Sequence, residues 1–300
     1  LGDVYKRQAG EIQNKGFEFN LGWTDSPNKD LFYGVNFIGN IMRNEVTKMG
    51  TGNQVIWAGS TQQGISTCKT LVGYPIGGYW LIPYDGIFRN QQELDAYRKD
   101  GKLIQPGAKP GDVRFKDTNN DGMINDDDRV YCGSPFPDFT MSVNGNIKYK
   151  NFDALIGIQA VFGNKIYNAT RQTLEDVTKG SNFLHTVMDY WTPENTDATF
   201  PRLIWDDPNR NGRAESDRYL ESGSYIRLRN IQVGYTFSPR LFNNLIQKAR
   251  IYVNAENLFT ISNYTGYSPD VNSEGNTSRG FDNFMYPTTR GYTLGLNVTF

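Results

Sequence analysis

Residues 139–162 read FTMSVNGNIKY, then KN, then FDALIGIQAVF. In the first arm Phe139, Met141, Val143, Gly145, Ile147 and Tyr149 alternate with Thr140, Ser142, Asn144, Asn146 and Lys148. Successive side chains of a strand point to opposite faces, so this arm is a strand with one apolar and one polar side. Lys150 and Asn151 leave room only for a tight turn, after which Phe152, Ala154, Ile156, Ile158, Ala160 and Phe162 resume the stripe. Arms of about ten residues exceed the usual globular strand of about five or six. They match the length that crosses a bilayer core at a tilt.

The same pattern recurs on both sides of this hairpin. Phe17, Phe19, Leu21 and Trp23 alternate with Glu18, Asn20, Gly22 and Thr24; after a turn at residues 25–29 come Tyr33, Val35, Phe37, Gly39 and Ile41. Ile231, Val233, Tyr235 and Phe237 continue a strand that starts near Tyr225, and Ile251, Val253, Ala255 and Phe259 form another. The last stripe is Tyr292, Leu294, Leu296, Val298 and Phe300. Aromatics stand at both ends of several stripes (Phe17 and Trp23, Phe139 and Tyr149, Tyr292 and Phe300), as two interfacial girdles require. Aromatic residues make up 14% of the chain, and a barrel in lipid has a use for them. No run is long and apolar enough for a transmembrane helix, so a membrane-spanning chain must use strands.

Connection lengths supply an independent check. Counted back from the last strand, they alternate long (261–288), shorter (238–249), very long (164–224) and minimal (Lys150 and Asn151). The alternation persists only if residues 42–138 form one excursion outside the membrane, so the segment around Gly78 to Phe88 is assigned there and not to a spanning strand. The expected fold is therefore all-β: part of a large antiparallel transmembrane barrel, with about seven strands and long extracellular loops. An odd number does not close as a bacterial barrel, which implies strands beyond this piece. Residues 1–8 fit no later pattern and are set apart as a non-native scar, and residues 9–300 are taken as one barrel section.

Basic and acidic residues number 31 and 32, so charge gives no reason to expect a nucleic-acid partner. Cys68 and Cys132 have no metal-type spacing; they are either two unrelated thiols or a disulfide between loops. His185 is the only histidine and has no ligand set around it. Arg227 and Arg229, flanking Leu228, read as lumenal or interfacial charges. Residues 184–191 carry a short helical spacing suited to packing within a loop. No nucleophile–base set or phosphate loop can be assembled, and the chain is read as not an enzyme.

The sharpest motif is DTNNDGMINDDD at 117–128. Asp117, Asn119, Asp121, Met123 (through its carbonyl), Asn125 and Asp128 occupy positions one, three, five, seven, nine and twelve of an EF-hand-type loop, with Gly122 at the sharp turn. This is the oxygen spacing of a structural Ca²⁺ site; the competing reading is an Asx-rich turn with no ion. Tyr79, Trp80, Trp191 and Trp205 are the loop aromatics that could stack on sugar rings, or else pack their loops. A secreted Ca²⁺-dependent carbohydrate-binding β-sandwich would share the Asp-rich loop and these aromatics, and is the rival architecture.

An ordered set of motifs resembles the SusC/RagA-like family of TonB-linked outer-membrane transporters. The set comprises NKGFE (14–18), GYPIG (73–77) with DGIF (85–88), PGDVRFKD (110–117) leading into the Asp-rich loop, WTPENT (191–196) with FPR (200–202), SYIRLRN (224–230), and NAENLF (254–259) with NYTGY (263–267). The resemblance implies a barrel of about 22 strands, of which this is the C-terminal part, with a plug and TonB box outside the chain. It implies import of nutrient oligomers, glycan or peptide, across a bacterial outer membrane. The implied partners are a SusD-like surface lipoprotein, TonB, outer-membrane lipid and the barrel-assembly machinery, for which Phe300 resembles the terminal signal.

Overall fold

The structure is a computed structural model that describes residues 10–50, 55–61, 64–180, 182–238, 246–271 and 275–300. Residues 1–8, set apart above, lie outside the described residues, as does much of the 238–249 connection. The chain opens with a hairpin of β1 (Gly10–Asn28) and β2 (Leu31–Met49). A first excursion holds β3 (Ile56–Ser60), β4 (Ser66–Thr70), β5 (Gly78–Leu81), β6 (Tyr84–Ile87), α1 (Gln91–Ala96), β7 (Arg98–Lys99), β8 (Lys102–Leu103), β9 (Val113–Phe115) and β10 (Val130–Gly133). The hairpin of β11 (Phe139–Tyr149) and β12 (Phe152–Phe162) follows, with the boundaries its alternation predicts. A second excursion carries β13 (Lys165–Asn168), α2 (Ala169–Glu175) and β14 (Leu220–Ser222). Then come β15 (Tyr225–Phe237), β16 (Lys248–Ser262), a third excursion with β17 (Phe281–Asp282), and β18 (Gly291–Thr299).

The seven long strands form one sheet in the order β1-β2-β11-β12-β15-β16-β18, every neighbouring pair antiparallel. They are the seven the alternation picks out. The register carries one apolar row from strand to strand. Leu21 lies opposite Phe37, Phe37 opposite Val143, and Val143 opposite Ile158. Ile158 then faces Leu228, and Leu228 faces Phe259. Direct partners in an antiparallel pair share a face, so the apolar stripes merge into one continuous surface.

No second sheet covers that surface among the described residues. Leu21 (65%), Val233 (51%) and Leu294 (72%) are all largely exposed. The interdigitated dry centre of a β-sandwich is absent from this sheet, and the sandwich reading is excluded. Aromatics cap the apolar band at both levels. Phe139 stacks on Phe162 at 6.2 Å on one level; Phe152 and Tyr235 (4.8 Å) and Phe237 (5.0 Å from Tyr235) mark the other. The ten residue steps from Phe139 to Tyr149 rise roughly 34 Å along the strand, or roughly 25 Å in height at the usual barrel tilt, which is the thickness of a lipid-facing band.

Three expectations are corrected. β2 does not end at Ile41: it runs to Met49, and its partner β1 begins at Gly10. The extra rungs are mostly polar, Ile12 opposite Val46 excepted, with Asn44 Nδ2 donating to Asn14 Oδ1 at 2.7 Å and Lys48 paired with Glu11 at 3.4 Å. The apolar stripe stops where lipid stops, but the backbone ladder continues, so a reading tied to hydrophobicity ends the strand early. The 25–29 turn likewise shrinks to Lys29 and Asp30, because β1 continues to Asn28. Residues 184–191, read as a short helix, hold only a single 3₁₀ turn, His185–Met188.

Candidate functional site: the polar wall and the crown

The inner face of the sheet is mostly polar because most residues between the apolar ones are. One row across it is Asn20, Ile38, Ser142, Gln159, Arg227 and Thr260; the next includes Asn36, Asn144, Asn230 and Glu256. Ile38, Phe32, Leu155 and Val161 are apolar exceptions in a mainly hydrogen-bonding surface. A recess of about 700 Å³ on this wall is lined by Arg229, Asn230, Gln232, Asn254, Glu256 and Thr293 among others. It sits beside a register shift between Leu228 and Asn230, where the ladder skips Arg229. Nearer the short turns, Arg250 reaches across β15 to form a paired, two-nitrogen contact with Asp153 on β12.

The long connections all leave the sheet at one end and interlock there as a crown. Tyr79 and Leu81 of the first excursion, Tyr167 and Tyr219 of the second and Phe281 of the third share one buried cluster. Hydrogen bonds stitch the same three segments. Ile82 N donates to Glu215 O at 2.7 Å, Tyr167 OH to Ala214 O at 2.5 Å, and Tyr79 OH to Gly280 O at 2.8 Å. Asp112, fully buried, takes two bonds from Arg202 (2.6 and 3.0 Å) and one from Asn211 (2.9 Å). A buried carboxylate is tolerable only when so paired. The protein core therefore lies in the crown, above a sheet whose apolar face needs no protein partner.

The Asp-rich loop hangs on this crown and turns sharply at Gly122. Gly122 has φ +89°, a conformation that disfavours a side chain. Asp117 accepts from Asp121 N (3.1 Å) and Gly122 N (2.8 Å), and Asn119 Oδ1 accepts from Asp121 N (2.9 Å). The amides of Asn119 and Asn125 both approach Asp121 Oδ2, at 3.0 and 3.3 Å. Met123 N–H, then the Asn119 amide, hold the Asp121 carboxyl below the ordinary carboxylate range. Asp128 is different: it is fully buried, and its two oxygens accept from Thr118 N and Asn125 N, each at 2.8 Å. Among the described residues no three His, Cys, Asp or Glu side chains are gathered as a metal centre. Asp117, Asn119, Asp121 and Asn125 are thus linked around Asp121 by hydrogen bonds, while Asp128 is committed to the backbone.

No protein-family model matches the sequence. Curated proteins do. The chain is 30% identical over 303 residues to TonB-dependent receptor P3 of Formosa agariphila, an alignment covering 98% of this chain and 29% of that protein. It is 26% identical over 303 residues to TonB-dependent receptor SusC of Bacteroides thetaiotaomicron, covering 98% of this chain and 27% of that one. Among solved structures, that of the RagAB peptide transporter superposes with a TM-score of 0.77 at 21% identity, over 97% of this chain and 30% of the other. The chain matches a section of the barrel of SusC/RagA-like TonB-dependent receptors. It spans less than a third of the length of the relatives it matches.

Within this SusC/RagA-like section the four aromatics named from sequence have different fates. Tyr79 is 0% exposed and is a core residue of the crown, so it is not available to a ligand. Trp80 packs with Tyr74 (4.9 Å) and Tyr131 (6.0 Å), and Lys69 Nζ lies 4.5 Å over its ring. Trp191 is used inside the loop: its Nε1 donates to Arg89 O at 3.2 Å. Only Trp205 (68%) stands largely free. Sequence reading missed Tyr267 and Tyr286, which are exposed at 85% and 87% in the third excursion. It also missed the pairing of Arg227 with Asp270 at 3.0 Å, which ties that excursion to the polar wall. Phe300 is exposed at the end of the chain, just past β18.

The two thiols are both free. Cys68 on β4 lies opposite Tyr79 on β5, and Cys132 is on β10, the strand on the other side of β5. Two strand spacings, roughly 9–10 Å, exceed the reach of a disulfide. Burial pushes the Cys68 thiol up to about 12 and Cys132 up to about 11.

Proposed function

We propose that this chain forms part of the wall and crown of a bacterial outer-membrane importer. It draws nutrient oligomers, glycan or peptide, through a polar lumen under TonB control, with a SusD-like surface lipoprotein docked on the crown. The observation that carries the reading is the single seven-stranded sheet, apolar and uncovered on one side and hydrogen-bonding on the other. Receptor names among the curated relatives support it, and so does a transport role over a catalytic one. Short turns mark the periplasmic end and long excursions the cell surface. Substrate and lipoprotein contacts then belong to the exposed crown aromatics, Trp205, Tyr267 and Tyr286, and to the Asn-rich wall.

The test is made on the full-length receptor in the organism that carries it. Deleting the gene should abolish uptake of a labelled glycan or peptide pool, and a tagged receptor should co-purify a surface lipoprotein from the outer-membrane fraction. Recovery of the full-length protein in the soluble fraction, or unchanged uptake of every pool tried, overturns the reading.

We also propose that the 117–128 loop takes Ca²⁺ as a structural ion, through Asp117, Asn119, Asp121, the Met123 carbonyl and Asn125, with Asp128 serving the backbone. Ca²⁺ favours such hard oxygen donors. Calorimetric titration of the chelator-treated receptor should give saturable Ca²⁺ binding that Asp121→Asn weakens. Absence of any heat of binding would leave the loop as a hydrogen-bonded Asx turn alone.

A further inference from the structure

At the end of the sheet opposite the crown, the turns at Lys29–Asp30 and Lys150–Asn151 enclose a recess of about 650 Å³. Its lining includes three lysines, Lys29, Lys148 and Lys150, and four aromatics, Phe32, Tyr149, Phe152 and Tyr235; Lys148 and Phe32 pair on the inner-face row at the rim. The turns are tied together: Lys150 N donates to Asp30 O at 2.7 Å, and Lys150 is held at φ +52°. Lys150 Nζ lies 5.5 Å over the Tyr149 ring.

The lysines have little to neutralise them. None takes part in an ion pair among the described residues. Asp153, the cross-strand partner of Lys148, feels its charge but forms its ion pair with Arg250. Asp30 is the one carboxylate in the lining. The aromatic side of the recess is continuous with the apolar face, since Tyr149 pairs with Phe152 and Phe152 with Tyr235 in one row. Concentrated positive charge thus stands at the border of a surface suited to acyl chains.

We infer that this recess binds the headgroup phosphate of an anionic phospholipid of the periplasmic leaflet, its acyl chains lying along the apolar face below Tyr149 and Phe152. The inference rests on the outer-membrane reading above. Charge complementarity selects an anion, and the adjoining apolar surface selects a lipid over a soluble phosphate. It predicts that the receptor is anchored at its short-turn end by a preferred lipid in addition to its aromatic girdle.

The experiment titrates the detergent-solubilised full-length receptor with dihexanoyl-phosphatidylglycerol, dihexanoyl-phosphatidylcholine and inorganic phosphate. Saturable binding of the glycerol lipid, at least tenfold tighter than either other probe, is expected. Each of Lys29→Gln, Lys148→Gln and Lys150→Gln should weaken it by about fivefold, and Lys150→Arg should restore it. Equal binding of the two lipids, or full binding by the triple Gln variant, overturns the inference. Inorganic phosphate binding as tightly as the lipid overturns it in favour of a free-anion site. If the triple variant does not fold, seen as loss of heat-modifiable migration, Lys150→Gln alone decides. A receptor found soluble would count against the membrane reading itself, which this titration does not address.

Discussion

Cys68 and Cys132 show how a residue's surroundings set its chemistry. Thiolate is the reactive form, and a thiol pushed from 9.0 to about 12 exposes about a thousandfold less of it near neutral pH. A maleimide added to the folded receptor at pH 7.5 should therefore leave Cys68 unlabelled and modify Cys132 slowly, and both should label on denaturation. Mass spectrometry of the peptides reads the outcome. Asp128 makes the same point for a carboxylate. Asp128→Ala leaves the amides of Thr118 and Asn125 without acceptors, at about 1–3 kcal/mol each. Deuterium exchange at those two amides should rise sharply, and less so in Asp128→Asn, which keeps one oxygen. Asp121 adds a pH dependence of defined sign. Its folded-state pKa is lowered, so its contribution is present above the ordinary value of about 3.9 and is lost as pH falls through the lower folded value. Pepsin should begin to cut the 117–128 loop only below about pH 4. The spacing in the sequence foretold the loop's glycine turn. It could not foretell that Asp128 turns inward, because that depends on which backbone donors the rest of the crown leaves unmet.

At the scale of strands, Gly234 and Arg250 illustrate how the wall is made. A Cβ at Gly234 would lie 2.4 Å from Arg250 Nη2. The glycine lets the guanidinium cross β15 and reach Asp153 two strands away. Gly234→Val should displace Arg250, break the Asp153 pair and lower the temperature at which heat-modifiable migration is lost. The free-energy cost is about 1 kcal/mol for a partly exposed bidentate pair. Arg250→Lys should recover little, since one ammonium cannot replace the fork. The strands themselves were legible in the alternation, down to both ends of β11 and β12. The polar extension of β1 and β2 was not, because its rungs carry no apolar stripe. The small strands of the crown were also hidden: segments such as Gly78–Leu81 are apolar and short, and periodicity does not tell a buried loop strand from other buried chain.

At the scale of the whole molecule, neighbouring residues of one strand face different solvents. Ile231→Arg sets a charge on the apolar face at mid-height and should cost about 2–4 kcal/mol near the bilayer centre, cutting the amount of receptor assembled in the outer membrane. Gln232→Arg, one residue away on the polar face, should assemble normally. Western blotting of outer-membrane fractions compares the two, and equal levels would refute the assignment of faces. The sequence by itself determined this two-sidedness, the number of spanning strands and which end carries the long connections, since a period of two and a loop length are both local properties of the chain. Tertiary structure alone decided how the three excursions share one core, which aromatics that core consumes, and where unpaired charge collects. Those outcomes depend on contacts between residues as distant as Tyr79 and Gly280, whose meeting no local pattern records.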